Sequence, residues 1–305
     1  MTSIRPTELP ELRAEIVRQR DALGPARIAS LHTEQNLNRL MPGLSAIDVA
    51  VRETTKLVMA DLYYVSTAMT QLALSAAQTL PPFVSAPEDY PSAIGFAFFN
   101  DGVPVTWGNM PCRVHAASWQ VLATGALVAF FIDLQSVMHE MPEAEVARQL
   151  RSLGARADGL WFNDIVRVYS GFNEGGLTAD EEELRAQSPV AATMIPVLRS
   201  TLLLMQQPLA CVSEVEADRA ARKRLRRAGQ EPKPVRVIEL RRPQHTGERG
   251  DGDREYHHQW IVRGHWRQQW YPARQVHRPV WIAPHIKGPD GAPLIGGEKV
   301  YAWKR

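Results

Sequence analysis

A two-residue alternation of polar and apolar side chains runs through the stretch YHHQWIVRGHWRQQW, residues 256–270. The aromatic parity holds Tyr256, His258, Trp260, Val262, Trp266 and Trp270, and the polar parity holds His257, Gln259, Arg263, His265 and Arg267. Because alternate side chains of a strand point to opposite faces, this pattern predicts one strand that packs its aromatic face and turns arginines and histidines outward.

A helical period of three, four and seven residues organises residues 45–82. Its apolar stripe consists of Ile47, Val51, Val58, Leu62, Val65, Met69, Leu72 and Ala76. Ser45 followed three residues later by Asp48 resembles a capping box, and Pro81-Pro82 would end the helix. The pattern predicts one long helix with a buried stripe, beside which Asp61, Tyr63 and Tyr64 form a packed rim.

Strands are predicted for residues 93–134. The sequence Asn-Asp-Gly at 100–102 indicates a turn between two apolar runs, and a second strand pair would flank Ala-Thr-Gly at 123–125. The same periodicity leaves a buried helix over residues 119–134 open as an alternative. His115 and Trp119 are predicted to be core or rim residues rather than functional ones.

Beyond this region, an apolar helix is predicted for residues 188–208, in which Pro196 would cause a kink or a new start. A helix that begins acidic and ends basic is predicted for residues 213–229, since such charges suit the helix dipole. Four strands, beginning with VRVIEL at residue 235, are predicted to form a small antiparallel sheet or open barrel.

These elements predict an α+β protein with a helical and short-strand N-terminal unit followed by a small antiparallel C-terminal β module. The predicted units are an acidic α+β partner-recognition unit at 1–210, a basic helix and connector at 211–232, and a basic β module rich in Trp and His at 233–305.

The net charge of +2 conceals a division between these parts. Residues 219–305 hold 20 Lys and Arg against 8 Asp and Glu, whereas the preceding residues hold 15 against 25. A cationic segment of this kind indicates a polyanionic partner. The alternative is that the two parts attract each other across an internal interface.

Several classes of protein are disfavoured by what the sequence lacks. It contains no phosphate-binding glycine loop and no GxSxG nucleophile motif. Cys112 and Cys211 lie far apart in apolar surroundings, which predicts buried free thiols and neither a disulfide framework nor a structural zinc site. The longest apolar run, Val121–Leu134, is too short to cross a bilayer and no signal core precedes it. We expect a soluble cytoplasmic protein without membrane contact, metal or cofactor.

The chemistry of the C-terminal module points to nucleic acid. The module contains six of the nine histidines and five of the eight tryptophans. Cationic side chains would contact phosphates and exposed aromatic rings would stack on unpaired bases, which predicts binding of RNA or single-stranded nucleic acid. Some of the tryptophans would fill the core behind this surface. The predicted contact residues are Arg222, Lys223, Arg226, Arg227, Arg263, His265, Arg267, Arg274, Arg278 and Lys287.

Two other functions are compatible with the same residues. In a ribonuclease, His257, His265 or His285 would act as acid and base, while a neighbouring arginine (Arg263 or Arg267) would stabilise the developing phosphorane charge. His257 and His265 are about 26 Å apart on an extended strand, so a shared metal would require a sharp bend, for which Gly264 is the candidate. The remaining alternative is a module that binds only protein.

Two segments, WIVRGHWRQQWYP and RPVWIAPHIKGPDGAPL, are preceded by RRAG and VRVIELRR. Together they resemble the C-terminal signature of uncharacterised actinobacterial, plasmid and phage proteins. Among characterised proteins they resemble the type V anti-CRISPR family that suppresses production of the effector nuclease. The resemblance is carried by Gly264, His265, Trp266, Arg267, Trp281, Pro284, His285 and Gly288. It implies a mobile-element origin, a nascent-peptide partner and an action on messenger RNA, and it assigns no role to individual residues of 1–210.

Overall fold

The computed structural model describes residues 4–29, 45–82, 86–107, 110–122, 125–133, 142, 144–148, 160–169, 188–241, 259–273 and 275–289. Among these residues, a seven-stranded mixed sheet lies between two layers of helices, and shorter antiparallel ladders follow near the C-terminus. The predicted α+β class is therefore confirmed.

The bounds of the regular elements are as follows. The helices are α1 (Leu9–Leu23), α2 (Pro25–Ala29), α3 (Ala46–Met59), α4 (Thr67–Ala77), α5 (Pro189–Leu204) and α6 (Arg219–Arg227). The first seven strands are β1 (Asp61–Val65), β2 (Ile94–Trp107), β3 (Met110–Leu122), β4 (Gly125–Asp133), β5 (Leu160–Tyr169), β6 (Ala210–Val215) and β7 (Val235–Leu240). The last four are β8 (Trp260–Val262), β9 (His265–Tyr271), β10 (Val276–Ile282) and β11 (His285–Lys287).

The large sheet has the strand order β5-β4-β3-β2-β1-β7-β6. Strand β1 runs parallel to both of its neighbours, β2 and β7, whereas the remaining pairs are antiparallel. Alternate residues of β1 serve two cores: Tyr63 and Val65 pack with α4 and α5, and Leu62 and Tyr64 pack with α1 and α3. The sheet therefore separates two hydrophobic layers.

The prediction of one helix over residues 45–82 is wrong. Helix α3 begins at the predicted Ser45 cap, whose hydroxyl accepts a 3.1 Å bond from the Asp48 amide, but it ends at Met59 and is followed by β1. Tyr63 is fully buried in this central strand rather than at a rim. The apolar spacing of the strand continued the helical period, and pairing with β2 and β7 overrides that local preference.

The predicted buried face of α3 is wrong as well. Ile47 and Val51 are 47% and 48% exposed, whereas the charged residues Glu53 and Lys56 are each only 2% exposed. The two charges form an i,i+3 ion pair of 2.5 Å, which allows both to be buried. The helix thus turns apolar side chains to solvent and an ion pair to the interior.

The described residues between 94 and 133 form β2, β3 and β4, so the alternative of a buried helix over residues 119–134 is wrong. The Asn-Asp-Gly sequence does not end a strand: β2 continues through it as a bulge, in which Asp101 and Gly102 have φ of 64° and 63°. The bulge lies opposite His115, which is 5% exposed, and Trp119 is fully buried. Both residues are therefore core residues, as predicted.

The predicted apolar helix is confirmed as α5, which is capped by Ser188 and continues through Pro196 without a new start. The predicted basic helix is shorter than expected. It begins after Asp218, whose carboxylate accepts a 2.7 Å bond from the Ala221 amide, because the preceding residues form β6 at the edge of the sheet. Of the two cysteines, Cys112 is buried as predicted, but Cys211 is exposed on β6.

The first strand of the predicted C-terminal module belongs to the large sheet. Strand β7 pairs with β1 and β6, so the boundary predicted at residue 233 does not coincide with a boundary in the sheet. The remaining described strands of the module, β8 to β11, form the expected small antiparallel ladders. No described helix has both the length and the apolar character needed to cross a membrane.

Candidate nucleic-acid interface

Strands β8 to β11 form one hairpin in a single register. Strand β9 pairs with β10 from Tyr271 opposite Val276 to His265 opposite Ile282, and β8 pairs with β11 from Val262 opposite His285 onward. The second ladder continues the register of the first, after a break of two residues in each strand. We call residues 259–289 the C-terminal hairpin.

The break corrects the prediction of a single strand over residues 256–270. It lies where Gly264 faces the indole of Trp281: a Cβ at residue 264 would be only 2.4 Å from Trp281 Cζ2 and 3.1 Å from Pro284 Cδ. Pro284 has no amide hydrogen to donate to a ladder, so both strands are interrupted at the same level. Residues 256–258 lie outside the described residues.

Two tryptophans attach the hairpin to the helices of the protein. Trp266 is partly buried and donates a 2.8 Å hydrogen bond from its indole to the carbonyl of Ala76 in the last turn of α4. Trp281 is 6% exposed and belongs to the core formed with α4 and α5. Its backbone amide donates to the side chain of Gln207 at 3.1 Å. The expectation that these indoles fill the interior is thus confirmed for Trp266 and Trp281.

The other tryptophans of the module differ. Trp260 is half-buried, and Trp303 lies outside the described residues. Trp270 is 43% exposed near the tip of the hairpin. The alternation of residues 256–270 placed Trp266 and Trp270 on one parity, but only Trp266 lies over the helices.

Arg278 is not part of an exposed cationic surface. Its side chain is 18% exposed and forms an ion pair with Asp89, a carboxylate that is 4% exposed and that also accepts a 2.6 Å bond from the Ala86 amide. The alternative of an internal attraction between the acidic and basic parts therefore holds at this position. Arg278 contributes to the attachment of the hairpin.

The other cations of the hairpin remain outside. Arg263, Arg267 and Lys287 are exposed, and none of them forms an ion pair with a described residue. Arg267 donates a 2.8 Å bond to the side-chain oxygen of Gln269, two residues away on the same face of β9. Residues 259–289 contain five Lys and Arg, three His and no Asp or Glu. The hairpin therefore carries a positive charge that its own sequence does not balance.

Two of the three histidines of the hairpin, His265 and His285, are exposed and bonded in the same way. His265 Nδ1 lies 3.0 Å from the Arg263 carbonyl, and His285 Nδ1 lies 3.1 Å from the Ala283 carbonyl. Because a carbonyl only accepts hydrogen bonds, the Nδ1–H of each ring is the donor in this contact. Within the described residues, no three His, Cys, Asp or Glu side chains are grouped as a metal would require. His257 and Arg274 lie outside the described residues.

The basic helix α6 lies in a different layer from the hairpin. It contacts α1, which packs on the sheet face opposite to the one that carries α4, α5 and Trp281. Arg224 forms a bidentate pair with Glu11 of α1 at 2.7 and 3.0 Å, and Arg222 pairs with Glu216. The single surface expected to combine α6 with the hairpin is therefore divided between two sides of the sheet.

The other cations of α6 face solvent. Lys223, Arg226 and Arg227 are exposed and form no ion pair with a described residue. Leu225 and Ala221 are the buried positions of this helix. The helix thus provides a second, separate group of cations.

The described fold is that of an α+β protein whose C-terminal hairpin carries an unbalanced positive charge. No protein-family model and no curated protein matches the sequence. Two solved chains match in structure. One of them is the crystal structure of AcrVA2, a type V anti-CRISPR protein, which is 9% identical with a TM-score of 0.38 over 90% of the present chain and 94% of that chain. A similarity of this level assigns neither function nor site residues to the present chain.

Proposed function

We propose that this protein is a regulatory protein of phage or mobile-element type that binds RNA, or another single-stranded nucleic acid, through its C-terminal hairpin. The observation that carries the proposal is the composition and exposure of residues 259–289. This segment has five Lys and Arg and no Asp or Glu, and Arg263, Arg267 and Lys287 are exposed without a described ion-pair partner.

The attachment of the hairpin supports this proposal. Trp266 and Trp281 hold it against α4 and α5, and Arg278 holds it against Asp89, so the exposed cations extend from a fixed strand pair. Cations that are already held in fixed positions lose less conformational freedom when a ligand binds, which favours affinity. Phosphates are the expected ligands because an unbalanced positive surface attracts polyanions and releases their counterions.

The salt dependence of binding tests the proposal directly. A labelled single-stranded RNA is titrated with the protein at several salt concentrations. Three neutralised phosphates give a slope of log affinity against log salt of about −2 for a single strand. Replacing Arg263, Arg267 and Lys287 together with Gln should remove most of this slope.

A matched variant separates a local site from general charge attraction. Replacing Lys223, Arg226 and Arg227 of α6 with Gln removes the same charge from the other side of the sheet. The hairpin variant should lose binding while the α6 variant retains it. Equal losses in the two variants, or no salt-dependent binding by the unaltered protein, would contradict a site on the hairpin.

The same titration tests the rival functions. Electrophoresis of the RNA after incubation, in EDTA and in divalent metal, reveals whether it is cleaved. We expect intact RNA, because His265 and His285 are exposed and, among the described residues, the ring of each bonds to a nearby backbone carbonyl. Cleavage that is lost in His265→Ala while binding persists would instead support the ribonuclease.

The proposed partner of the N-terminal unit is a protein or nascent peptide. The described feature that supports this part is the exposed apolar face of α3, where Ile47, Val51, Val58 and Met59 are between 37% and 56% exposed. Exposed apolar positions at helical spacing are a common way to bind a peptide or helix. Val51→Lys should reduce co-purification of a protein from the host after nuclease treatment, whereas Arg52→Lys on the same helix should not.

The regulatory part of the proposal is anti-CRISPR-like activity, which the resemblance of the C-terminal sequence suggests. It is tested by expressing the protein in cells that carry a type V effector nuclease and measuring the effector messenger RNA and protein. Lower levels that are restored by the triple hairpin variant would support a role of the hairpin in that activity. Unchanged levels would contradict this part and leave the RNA-binding experiment to be judged separately.

A further inference from the structure

The tip of the C-terminal hairpin exposes aromatic rings that the core does not use. Trp270 and Tyr271, at the end of β9, are 43% and 40% exposed, and Val276, at the start of β10, is 41% exposed. These are large apolar surfaces, and Ile286 of β11, which is 56% exposed, is another on the same hairpin. None of these three tip residues is among the buried residues of the two cores.

The rings at the tip are arranged on both faces of the strand pair. Trp270 lies directly opposite His277, with ring centroids 4.8 Å apart, and Tyr271 lies opposite Val276. Because consecutive residues of a strand point to opposite faces, Trp270 and Tyr271 present their rings on opposite sides of the hairpin. Tyr271 shares its face of β9 with Arg267.

We propose that the tip is a stacking platform for unpaired bases, so that the hairpin selects single-stranded over double-stranded nucleic acid. This inference rests on the proposed function, since it assigns the class of nucleic acid that the same hairpin binds. Aromatic side chains stack on the faces of bases, and such stacking is available only where bases are not held inside a duplex.

The charges around the tip favour nucleobases over an apolar protein partner. The hairpin contains no carboxylate, and the exposed Arg267 lies four residues from Tyr271, about 13 Å along the strand. A nucleic acid presents phosphates and base faces along the same strand, which matches a cation and an aromatic ring on one face of β9. A purely apolar protein surface would leave the arginine without a partner.

The test compares two probes and four variants. The probes are a labelled oligouridylate and an RNA duplex with the same number of phosphates. The intact protein should bind the single strand at least ten-fold more tightly than the duplex at equal salt. Trp270→Leu, which keeps apolar bulk and removes the aromatic face, should weaken single-strand binding on the order of ten-fold and leave duplex binding unchanged. Trp270→Phe should restore most of the loss.

A charge variant separates stacking from phosphate contact. Arg267→Gln should weaken binding of both probes by similar factors, because phosphates occur in both. Tyr271→Leu provides a second tip variant that acts on the other face of the strand pair. Circular dichroism and the unfolding midpoint of each variant show that a loss of binding is not a loss of structure.

The outcomes distinguish this inference from the function on which it rests. If the intact protein binds neither probe, both are overturned. If it binds the two probes equally, or if Trp270→Leu and Tyr271→Leu leave single-strand binding unchanged, the platform is overturned while the nucleic-acid function stands. If only a protein from the host is lost when Trp270 is replaced with Leu, the tip binds protein and the inference is overturned as well.

Discussion

Trp266 and Trp281 lie directly opposite each other in the C-terminal hairpin, with ring centroids 5.2 Å apart in an edge-to-face arrangement. Together they connect the hairpin to α4 and α5, one through the carbonyl of Ala76 and the other through the core. The positions of the exposed Arg263, Arg267 and Lys287 therefore depend on this pair.

The first prediction concerns the energy of that attachment. Trp281→Ala should lower the free energy of unfolding by about 3–5 kcal/mol, because it removes a buried indole and leaves a cavity. Trp270→Ala is the matched control, since the same side chain is deleted at an exposed position and the cost should be about 0.5 kcal/mol or less. Urea unfolding measures both. Similar costs for the two variants would show that Trp281 does not anchor the hairpin.

The second prediction concerns the contact of Gly264 with Trp281. Gly264→Ala places a methyl group 2.4 Å from Trp281 Cζ2, so the variant should be destabilised by about 1–3 kcal/mol. Trp281→Phe removes the clashing atom, and Gly264→Ala should therefore cost less in that background. A double-mutant cycle measures the difference. Additive effects of the two substitutions would contradict a direct contact.

The third prediction concerns the ion pair of Arg278 with Asp89. Arg278→Met should lower the free energy of unfolding by about 3–5 kcal/mol, because it leaves the buried carboxylate without its counter-charge. Asp89→Asn in the same chain should recover part of the loss, since the uncompensated charge is then absent. Arg267→Met, at an exposed position, is the control and should change stability little. A large cost for Arg267→Met would show that exposure is not what separates these two arginines.

The hairpin shows which structural features a local sequence pattern can predict. Alternation alone predicts a strand around Trp266, and the absence of acidic residues predicts its charge. The break at Gly264 is determined by the facing strand, and the partner of Arg278 is a carboxylate far away in the chain, so no local pattern contains either of them. These are tertiary contacts that only the assembled fold specifies.

The large sheet illustrates the same limit. In β1, Leu62 and Val65 continue the helical spacing of α3 and α4. The sequence pattern of this five-residue strand therefore predicts a helix. In β7, the sequence does indicate a strand inside a sheet. Val235, Val237 and Ile238 are apolar on both parities, and they are buried on both faces of the sheet. A strand that is apolar on both faces is typical of the interior of a sheet, which favours a place beside β1 over one in a half-exposed module.

The fourth prediction concerns the buried ion pair of α3. Lys56→Met alone should lower the free energy of unfolding by about 3–5 kcal/mol, since it leaves the Glu53 carboxylate buried without a cation. The double substitution of Glu53→Leu with Lys56→Met should be close to neutral or stabilising, because apolar side chains of similar size need no counter-charge. Burial lowers the pKa of Lys56, which is consistent with an enclosed ammonium group.

An exposed pair of the same spacing provides the control for that prediction. Arg18 and Glu15 form an i,i+3 pair on α1 in which the arginine side chain is 56% exposed. Breaking it with Glu15→Gln should change the free energy of unfolding by about 0.5 kcal/mol or less, since solvent screens the charges. If Lys56→Met costs no more than this, the pair in α3 is open to water in solution.

The fifth prediction concerns the pH dependence that His115 gives to stability. Its ring is 5% exposed and stacks on Phe98 with centroids 5.7 Å apart, and burial lowers its pKa to about 4 although Asp133 acts in the opposite direction. A histidine in the unfolded chain titrates near pH 6.5. Between these values the unfolded state binds a proton that the folded state does not, so stability is lost as the pH falls from about 6.5 to about 4 and is unaffected above that range.

His115→Phe should remove this part of the pH dependence while keeping a ring against Phe98. The free energy of unfolding of the unaltered protein should fall relative to this variant by up to about 3 kcal/mol between pH 7.5 and pH 4. The carboxylates are common to both proteins, so their contribution cancels in this comparison. Parallel profiles for His115→Phe and the unaltered protein would mean that the imidazole can be protonated without unfolding, and that the bulge between Phe98 and Val103 opens readily to water.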